Sequence, residues 1–332
     1  MPFTLSTRLA PGVKDLDATL VVLEDGKGGC AEVWPALGFN CIRWTAVREG
    51  LSLDLLYRDP ALFEGARPTR SGIPVLFPFP NRIRDGRFVW QGQPYQLPTN
   101  DPAGVNAIHG FACRRPWRIV AQGASHDSAW ITGVFRCSVD DPASRPLWPA
   151  DHEIRLTIRL GATTLRLEAE VFNPDSVPLP FGLGYHPYFR LPASRDFAVA
   201  DCSTQVPAEQ FWQLQDNLPT GERVPVDAAR DLNTTRRIAD LHLDDVLTGL
   251  PARPARMDGL IERATLTAMP GQPLRLFCSP VFREMVVFTP PHRQAFCIEP
   301  YTCVTDAINR SDGGLLVLPP GATWSSLVEL SI

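Results

Sequence analysis

The sequence predicts an all-β fold, a large antiparallel β-sandwich that occupies residues 1–332 as one domain. Three observations predict it. Apolar residues recur with a period of two rather than 3.6. The chain carries 33 prolines and 24 glycines, too many breaks for long helices. Hydrophobic residues make up 44% against 20% charged, enough apolar surface for a sizeable core. No fixed-period repeat and no low-complexity linker divides the chain.

In chain order, short apolar runs at 19–23, 41–46 and 51–57 read as strands. The run at 88–90 and the one at 95–97 are separated by Gln91-Gly92-Gln93-Pro94, a hairpin signal. Further strands are expected at 117–120 and 130–137. The clearest pattern follows. Ile154, Leu156, Ile158 and Leu160 alternate with Arg155, Thr157 and Arg159, Gly161-Ala162 interrupts, and Leu165, Leu167, Ala169 and Val171 resume the alternation. That is a β-hairpin with one solvated face. Segments 207–214 and 227–231 read as irregular or briefly helical, and strands return at 274–278, 285–289, 314–318 and 324–330.

A net charge of −4 and a pI near 5.9 provide no basic field for nucleic acid or an anionic membrane, so neither is expected as a partner. No apolar run approaches the ~20 residues a membrane helix needs. The first twenty residues carry Arg8, Lys14, Asp15 and Asp17 with no apolar stretch, so no secretory signal is expected. The eight cysteines lack any close C-x-x-C pair, which reads as free thiols in the cytoplasm.

The histidines divide into two kinds. His126, His152 and His292 lie in polar or proline-flanked surroundings and read as surface loop residues; His242, beside Leu241 and Leu243, reads either way. His109 sits in Asn106-Ala107-Ile108-His109-Gly110, where glycine lets the backbone approach something closely. His186 sits in Gly182-Leu183-Gly184-Tyr185-His186-Pro187-Tyr188-Phe189. That segment suits a rigid aromatic wall facing a carbohydrate, or equally a packed core with one buried histidine. Glu299, in Phe296-Cys297-Ile298-Glu299-Pro300-Tyr301, is a carboxylate in an apolar strand. It reads as a desolvated general base or as an edge-strand glutamate paired with an arginine. Arg82 follows the proline- and aromatic-rich Phe77-Pro78-Phe79-Pro80-Asn81, which fixes the backbone ahead of a forked donor.

The phosphate-cradling G-x-x-x-x-G-K-[ST] loop, the strand–G-x-G-x-x-G–helix unit and the G-x-S-x-G elbow are all missing, as is any pair of histidines at metal-binding spacing. These absences point to acid–base chemistry without metal or cofactor.

At these residues the sequence resembles the aldose 1-epimerase (galactose mutarotase) family. The resemblance is carried by Gly72-Ile73-Pro74-Val75-Leu76-Phe77-Pro78-Phe79-Pro80-Asn81-Arg82-Ile83 with Asp85-Gly86-Arg87-Phe88, then Asn106-Ala107-Ile108-His109-Gly110-Phe111. It continues in Gly184-Tyr185-His186-Pro187-Tyr188-Phe189, Leu243-Asp244-Asp245-Val246, and Cys297-Ile298-Glu299-Pro300-Tyr301-Thr302 with Asp306-Ala307-Ile308-Asn309. These blocks stand in family order over most of the chain. The resemblance implies a galactose mutarotase-like supersandwich. It implies that Glu299 is the general base on the anomeric hydroxyl and His186 the general acid on the ring oxygen. Arg82 and His109 would bind around that oxygen, and Asp244 or the adjacent Asp245 would bind sugar hydroxyls. The best-known galactose mutarotases have asparagine before this histidine and threonine after it, where this chain has Tyr185 and Pro187. The form resembles the broader branch of the family, whose sugars vary.

Three functions follow as expectations: a mutarotase acting on a small-molecule free aldose, a hexose-6-phosphate 1-epimerase, and a non-catalytic carbohydrate-binding module. A binding module has no need of both His186 and Glu299. A phosphorylated substrate would need further cations, for which Arg114 and Arg115 are the nearest candidates, although paired arginines beside a tryptophan such as Trp117 are commonly structural.

Overall fold

A computed structural model describes residues 2–65 and 67–332. It contains 28 strands, two four-residue helices and seven 3-10 turns among the described residues. The expected all-β sandwich is what forms. Sheet pairing within the named sheets is antiparallel throughout. No helix among the described residues is long and apolar enough to cross a membrane.

Two large sheets position the cleft. A nine-stranded sheet begins Arg118–Ala124, Ala129–Arg136, Glu153–Leu160, Thr164–Phe172 and continues through Thr323–Ser331 to Leu274–Cys278 and beyond. An eight-stranded sheet has at its centre Asp244–Thr248, Glu284–Phe288, Ala295–Tyr301 and Gly184–Tyr185, with Tyr188–Arg190 also paired to Ala295–Tyr301. A five-stranded meander, Thr4–Leu9 to Leu51–Asp54, precedes them.

Alternation explains the first sheet. Ile154, Leu156, Ile158 and Leu160 are buried and face Val171, Ala169, Leu167 and Leu165 across the ladder, while the intervening residues are at least partly exposed. Each buried cross-strand pair removes apolar area from water at about 25 cal/mol per Å². One continuous core cluster joins these side chains to Leu247, Met285, Val287 and Ile298 of the second sheet.

The strand Ala295–Tyr301 is different, because it is buried on both faces. Phe296 and Ile298 enter the common core. Successive side chains of a strand point to opposite faces, so Cys297, Glu299 and Tyr301 share the other face. Cross-strand register extends that face, with Val286 opposite Glu299, Phe288 opposite Cys297, and Asp244 opposite Phe288.

Two expectations differ from the structure. Segment 207–214 is not irregular throughout, since Gln210–Gln215 forms a strand whose Trp212 packs with Leu76, Val246 and Tyr301. A register shift between Trp212 and Leu214 breaks the period of two that would have announced it. His152 is not a surface residue but is wholly buried, lying flat against Phe111 with its Nδ1 3.1 Å from the Ala150 carbonyl. His126 and His292 are on the outside, the latter stacked on Tyr57. All eight cysteines are free thiols.

Candidate active site

The outer face of the second sheet is roofed by three loops, which leave a cleft of about 420 Å³. That volume lies in the range of about 300–1,000 Å³ common for small-molecule sites. Glu299 and His186 lie in it, 2% and 7% exposed.

Close backbone packing places the two. Gly184 pairs with Tyr301 on one side and Leu76 on the other. A Cβ at Gly184 would press on the Tyr301 ring and Pro80, so only glycine brings these strands together. Two residues on, the His186 amide donates to the Pro74 carbonyl at 3.1 Å, and its ring stacks on Tyr188 with centroids 4.5 Å apart. The Tyr188 hydroxyl donates to the Thr69 carbonyl at 2.7 Å and lies 3.3 Å from His186 Nε2. The imidazole is thereby aimed so that Nδ1 stands 3.4 Å from Glu299 Oε1. The other carboxyl oxygen of Glu299 accepts a 2.5 Å hydrogen bond from the Tyr301 hydroxyl. No arginine forms an ion pair with Glu299 among the described residues.

Burial sets the proton inventory. Desolvation pushes the Glu299 carboxyl well above its usual range and Asp244 adds to the push, while the Tyr301 bond and the Arg82 charge oppose it. Desolvation also pushes His186 down to about 3. Loss of water thus favours the uncharged form of both groups, a carboxyl beside a neutral imidazole with one titratable proton between them.

Arg82 and His109 enter from the roof. Arg82–Ile83 pairs with Ala107–Ile108, and the His109 amide donates to the Asn81 carbonyl at 2.8 Å. Asn81 Oδ1 accepts from the Arg82 guanidinium at 3.1 Å, and Asp101 Oδ2 lies 3.5 Å from Arg82 Nε. His109 (φ 67°) and Gly110 (φ 65°) are both left-handed, and a Cβ at Gly110 would run into the Phe77 carbonyl. The ring of His109 meets that of His186 edge-on at 5.8 Å. Desolvation holds His109 well below its usual range, and the charges of His186, Arg114 and Arg82 add to this. Arg82 Nε, His109 Nδ1 and His186 Nδ1 are buried with no hydrogen-bond partner among the described residues. Arg82 Nε still faces Asp101 and His186 Nδ1 still faces Glu299, so His109 Nδ1 is the atom left wholly unmatched, a place for a polar group of a ligand.

Five of the six residues singled out in sequence therefore line one cleft: Arg82, His109, His186, Asp244 and Glu299. Asp244 is exposed at its edge, its carboxyl raised by the loss of water against the wall and lowered by Arg82. Asp245 lies outside the lining, because the next residue of a strand faces the other way and its carboxylate accepts from Arg230 Nε at 2.7 Å. Tyr188 and Tyr301, which orient the pair, lay within the quoted motifs but were not singled out. For Tyr301 the signal is its position two residues from Glu299, since i and i+2 of a strand share a face; Tyr188 follows His186 across the break at Pro187 between two short strands, where no such rule applies.

His186, Cys297 and Glu299 also offer three donor atoms within 4.8 Å of one another, a set that suits a thiophilic divalent ion such as zinc. They include the atoms of the acid–base pair, and burial pushes the Cys297 thiol well above its usual range, so a metal would have to displace that proton.

Fold and cleft together define an all-β protein of the galactose mutarotase-like class, with a desolvated carboxyl–imidazole pair on the cleft floor. The structure is similar to that of a galactose mutarotase-like protein from Clostridium acetobutylicum, with a TM-score of 0.86 and 22% identity over 99% of this chain and 98% of that one. It is also similar to galactose 1-epimerase from Lactobacillus acidophilus NCFM, with a TM-score of 0.74 and 18% identity over 99% and 98%. In sequence, YphB of Escherichia coli (strain K12) is 28% identical over 266 residues, which cover 77% of this chain and 82% of that protein. The family model described as aldose 1-epimerase matches residues 55–331, and the chain belongs to that family of carbohydrate epimerases.

Proposed function

We propose that this chain is a mutarotase, interconverting the α and β anomers of an aldose by opening and reclosing the hemiacetal ring. The observation that carries this reading is the His186 Nδ1–Glu299 Oε1 approach of 3.4 Å on the floor of the cleft, with the Arg82 guanidinium and the unmatched His109 Nδ1 above it. A binding module has no use for a pair that shares one proton in a desolvated place.

Transfer of the shared proton from carboxyl to imidazole gives carboxylate and imidazolium without any exchange with solvent. Sugar hydroxyls donating to Glu299, together with the Arg82 charge, favour that form. The Glu299 carboxylate then takes the proton of the anomeric hydroxyl, the C1–O1 bond becomes a carbonyl, and the bond from C1 to the ring oxygen breaks. The ring oxygen receives its proton from His186. Rotation about C1–C2 presents the other carbonyl face, closure with the roles reversed leaves carboxylate and imidazolium again, and return of the proton from imidazolium to carboxylate restores the resting pair. Arg82 and His109 stabilise charge developing on oxygen, and Asp244 holds hydroxyls at the edge. Positioned proton transfers of this kind contribute roughly 10²–10⁴-fold each. The cycle consumes no cofactor.

The reading takes residues 1–332 as one domain acting on a small molecule in the cytoplasm, supported by eight free thiols suited to a reducing compartment. The test is polarimetry or NMR exchange between anomers on a panel of freshly dissolved sugars. Acceleration of at least one interconversion is expected, and acceleration of none would overturn the proposal.

A further inference from the structure

Nearly every arginine of this chain is engaged by a carboxylate or a carbonyl. Even the surface pairs follow the rule, with Arg118 on Asp140, Arg159 on Glu168 and Arg275 on Glu262. Arg67, Arg70, Arg114 and Arg195 are the exceptions among the described residues, and three of these four line the cleft of His186 and Glu299. The sequence reading paired Arg114 with Arg115, but the structure separates them. Arg115 is bound to Asp141 at 2.8 Å, whereas Arg114 has no acidic partner. Arg67 and Arg70 come from the turn Pro68–Arg70 and the residue before it, Arg114 from the turn Ala112–Arg114, and the two turns pack against each other. The three cations are thus one group at one end of the cleft. Arg114 acts on His109 and Arg70 on the Tyr188 phenol, which sets the group beside the histidine wall.

Like charges gathered without counter-charge repel, and a chain of net charge −4 has acidic side chains to spare. With Arg82 set against Asp101, and Asp244 counted as ionised, the lining still carries excess positive charge. Asp59 and Glu64 stand behind Arg67 and Arg70, outside ion-pair distance. Guanidinium groups so left open match the oxygens of a tetrahedral anion.

From this we infer that the substrate is an anionic aldose, carrying a phosphate ester or a sulfonate on C6, whose anion sits among Arg67, Arg70 and Arg114. The inference rests on the mutarotase reading for the orientation of the sugar. An anion on C1 is ruled out because ring opening needs a free anomeric hydroxyl. With O1 at Glu299 and the ring oxygen at His186, the exocyclic carbon on the far side of the ring oxygen is C6, borne by C5. It leaves the ring on the histidine side of the cleft, where the arginines are. A phosphate monoester brings about −1.5 to −2 charge there.

The experiment compares anomer exchange by NMR on the whole protein for glucose and galactose, their 6-phosphates, 6-deoxy-6-sulfoglucose and glucuronate, each corrected for its uncatalysed rate. We expect kcat/KM for a phosphate or the sulfonate to exceed that of its neutral parent tenfold or more, with the advantage shrinking as salt is raised from 20 to about 300 mM. The phosphate and sulfonate arms separate the two sources of the anion, and glucuronate tests whether a planar carboxylate suffices. The double variant Arg70→Gln/Arg114→Gln, verified as folded by circular dichroism, should lose most of the preference. Neutral sugars turned over as well as every charged counterpart, or a preference untouched by the double variant, would overturn the inference. If no sugar is turned over, the mutarotase reading fails separately, and calorimetric titration with glucose 6-phosphate decides the site. Binding that the double variant abolishes supports the anion pocket, and no binding removes it.

Discussion

The chemistry of the cleft reduces to where one proton sits between Glu299 and His186. Glu299→Gln keeps the shape and the Tyr301 contact but cannot accept a proton. Its anomer exchange should fall by ~10² or more while sugar affinity, read by calorimetry, stays within a few-fold; full activity would remove Glu299 from the base role. The pH profile of kcat/KM carries a finer test. The pair holds one proton between two macroscopic steps. The lower step, gain of a second proton, lies far down because burial pushes His186 to about 3. The upper step, loss of the shared proton, lies high because burial pushes Glu299 up. Activity should therefore be flat across neutrality. The Tyr301 hydroxyl stabilises the carboxylate, so Tyr301→Phe raises the upper step and moves the alkaline limb to higher pH. The Asp244 charge destabilises the carboxylate, so Asp244→Asn lowers that step and moves the limb to lower pH. Limbs that shift in the same direction, or not at all, would show that Glu299 does not govern the profile. Glu299 and His186 were open to two readings each in sequence because their approach to each other is fixed by the pairing of Gly184 with Tyr301 across strands, which no local pattern announces.

At the scale of elements, the sequence was most legible where one sheet face is wet. The strands Glu153–Leu160 and Thr164–Phe172 alternate, and their alternation is the register itself. Ala295–Tyr301, buried on both faces, has no alternation to read, and Gln210–Gln215 hides its own behind a bulge. Thr4–Leu9 went unseen because it is an edge strand with no buried residue. The cleft roof was illegible as a shape, since Arg67, Arg70 and Arg114 meet only when two distant turns pack together. Yet that roof depends on one legible feature, the glycine after His109. Gly110 is left-handed, and the Phe77 carbonyl beside it accepts from both Phe111 and Ala112. A methyl group there would displace that carbonyl, and with it the loop that carries His109. Gly110→Ala should cost about 1–3 kcal/mol, seen as a lower Tm, and should reduce kcat/KM at least tenfold. A variant with the parental Tm and rate would show that the loop adapts.

The whole molecule is tied together by the order of its nine-stranded sheet. Thr323–Ser331 does not lie at an edge; it pairs with Thr164–Phe172 on one side and Leu274–Cys278 on the other. It thus joins strands drawn from the middle of the chain to strands that come much later, while Val328 and Leu330 enter the core cluster shared with the cleft-bearing sheet. Glu329 on this strand is held by Arg166 and Arg256. Without it, two strand edges would lose their ladder partners, and two arginines would lose their carboxylate. Unpaired interior edges and lost core side chains each cost several kcal/mol, comparable to the roughly 5–15 kcal/mol by which a folded domain is stable. A chain ended after Ala322 should therefore fail to fold anywhere, the cleft included, although no cleft residue has been removed. The intact chain should correspondingly melt in one transition, with far-UV and near-UV circular dichroism superposing and the calorimetric and van't Hoff enthalpies equal. Two separated transitions, or a truncated chain that keeps a cooperative melt and a native near-UV spectrum, would show that the sheets fold apart. Their agreement would mean instead that the distance between His186 Nδ1 and Glu299 Oε1 is set by the same cooperative unit as the closure of the sheet behind them.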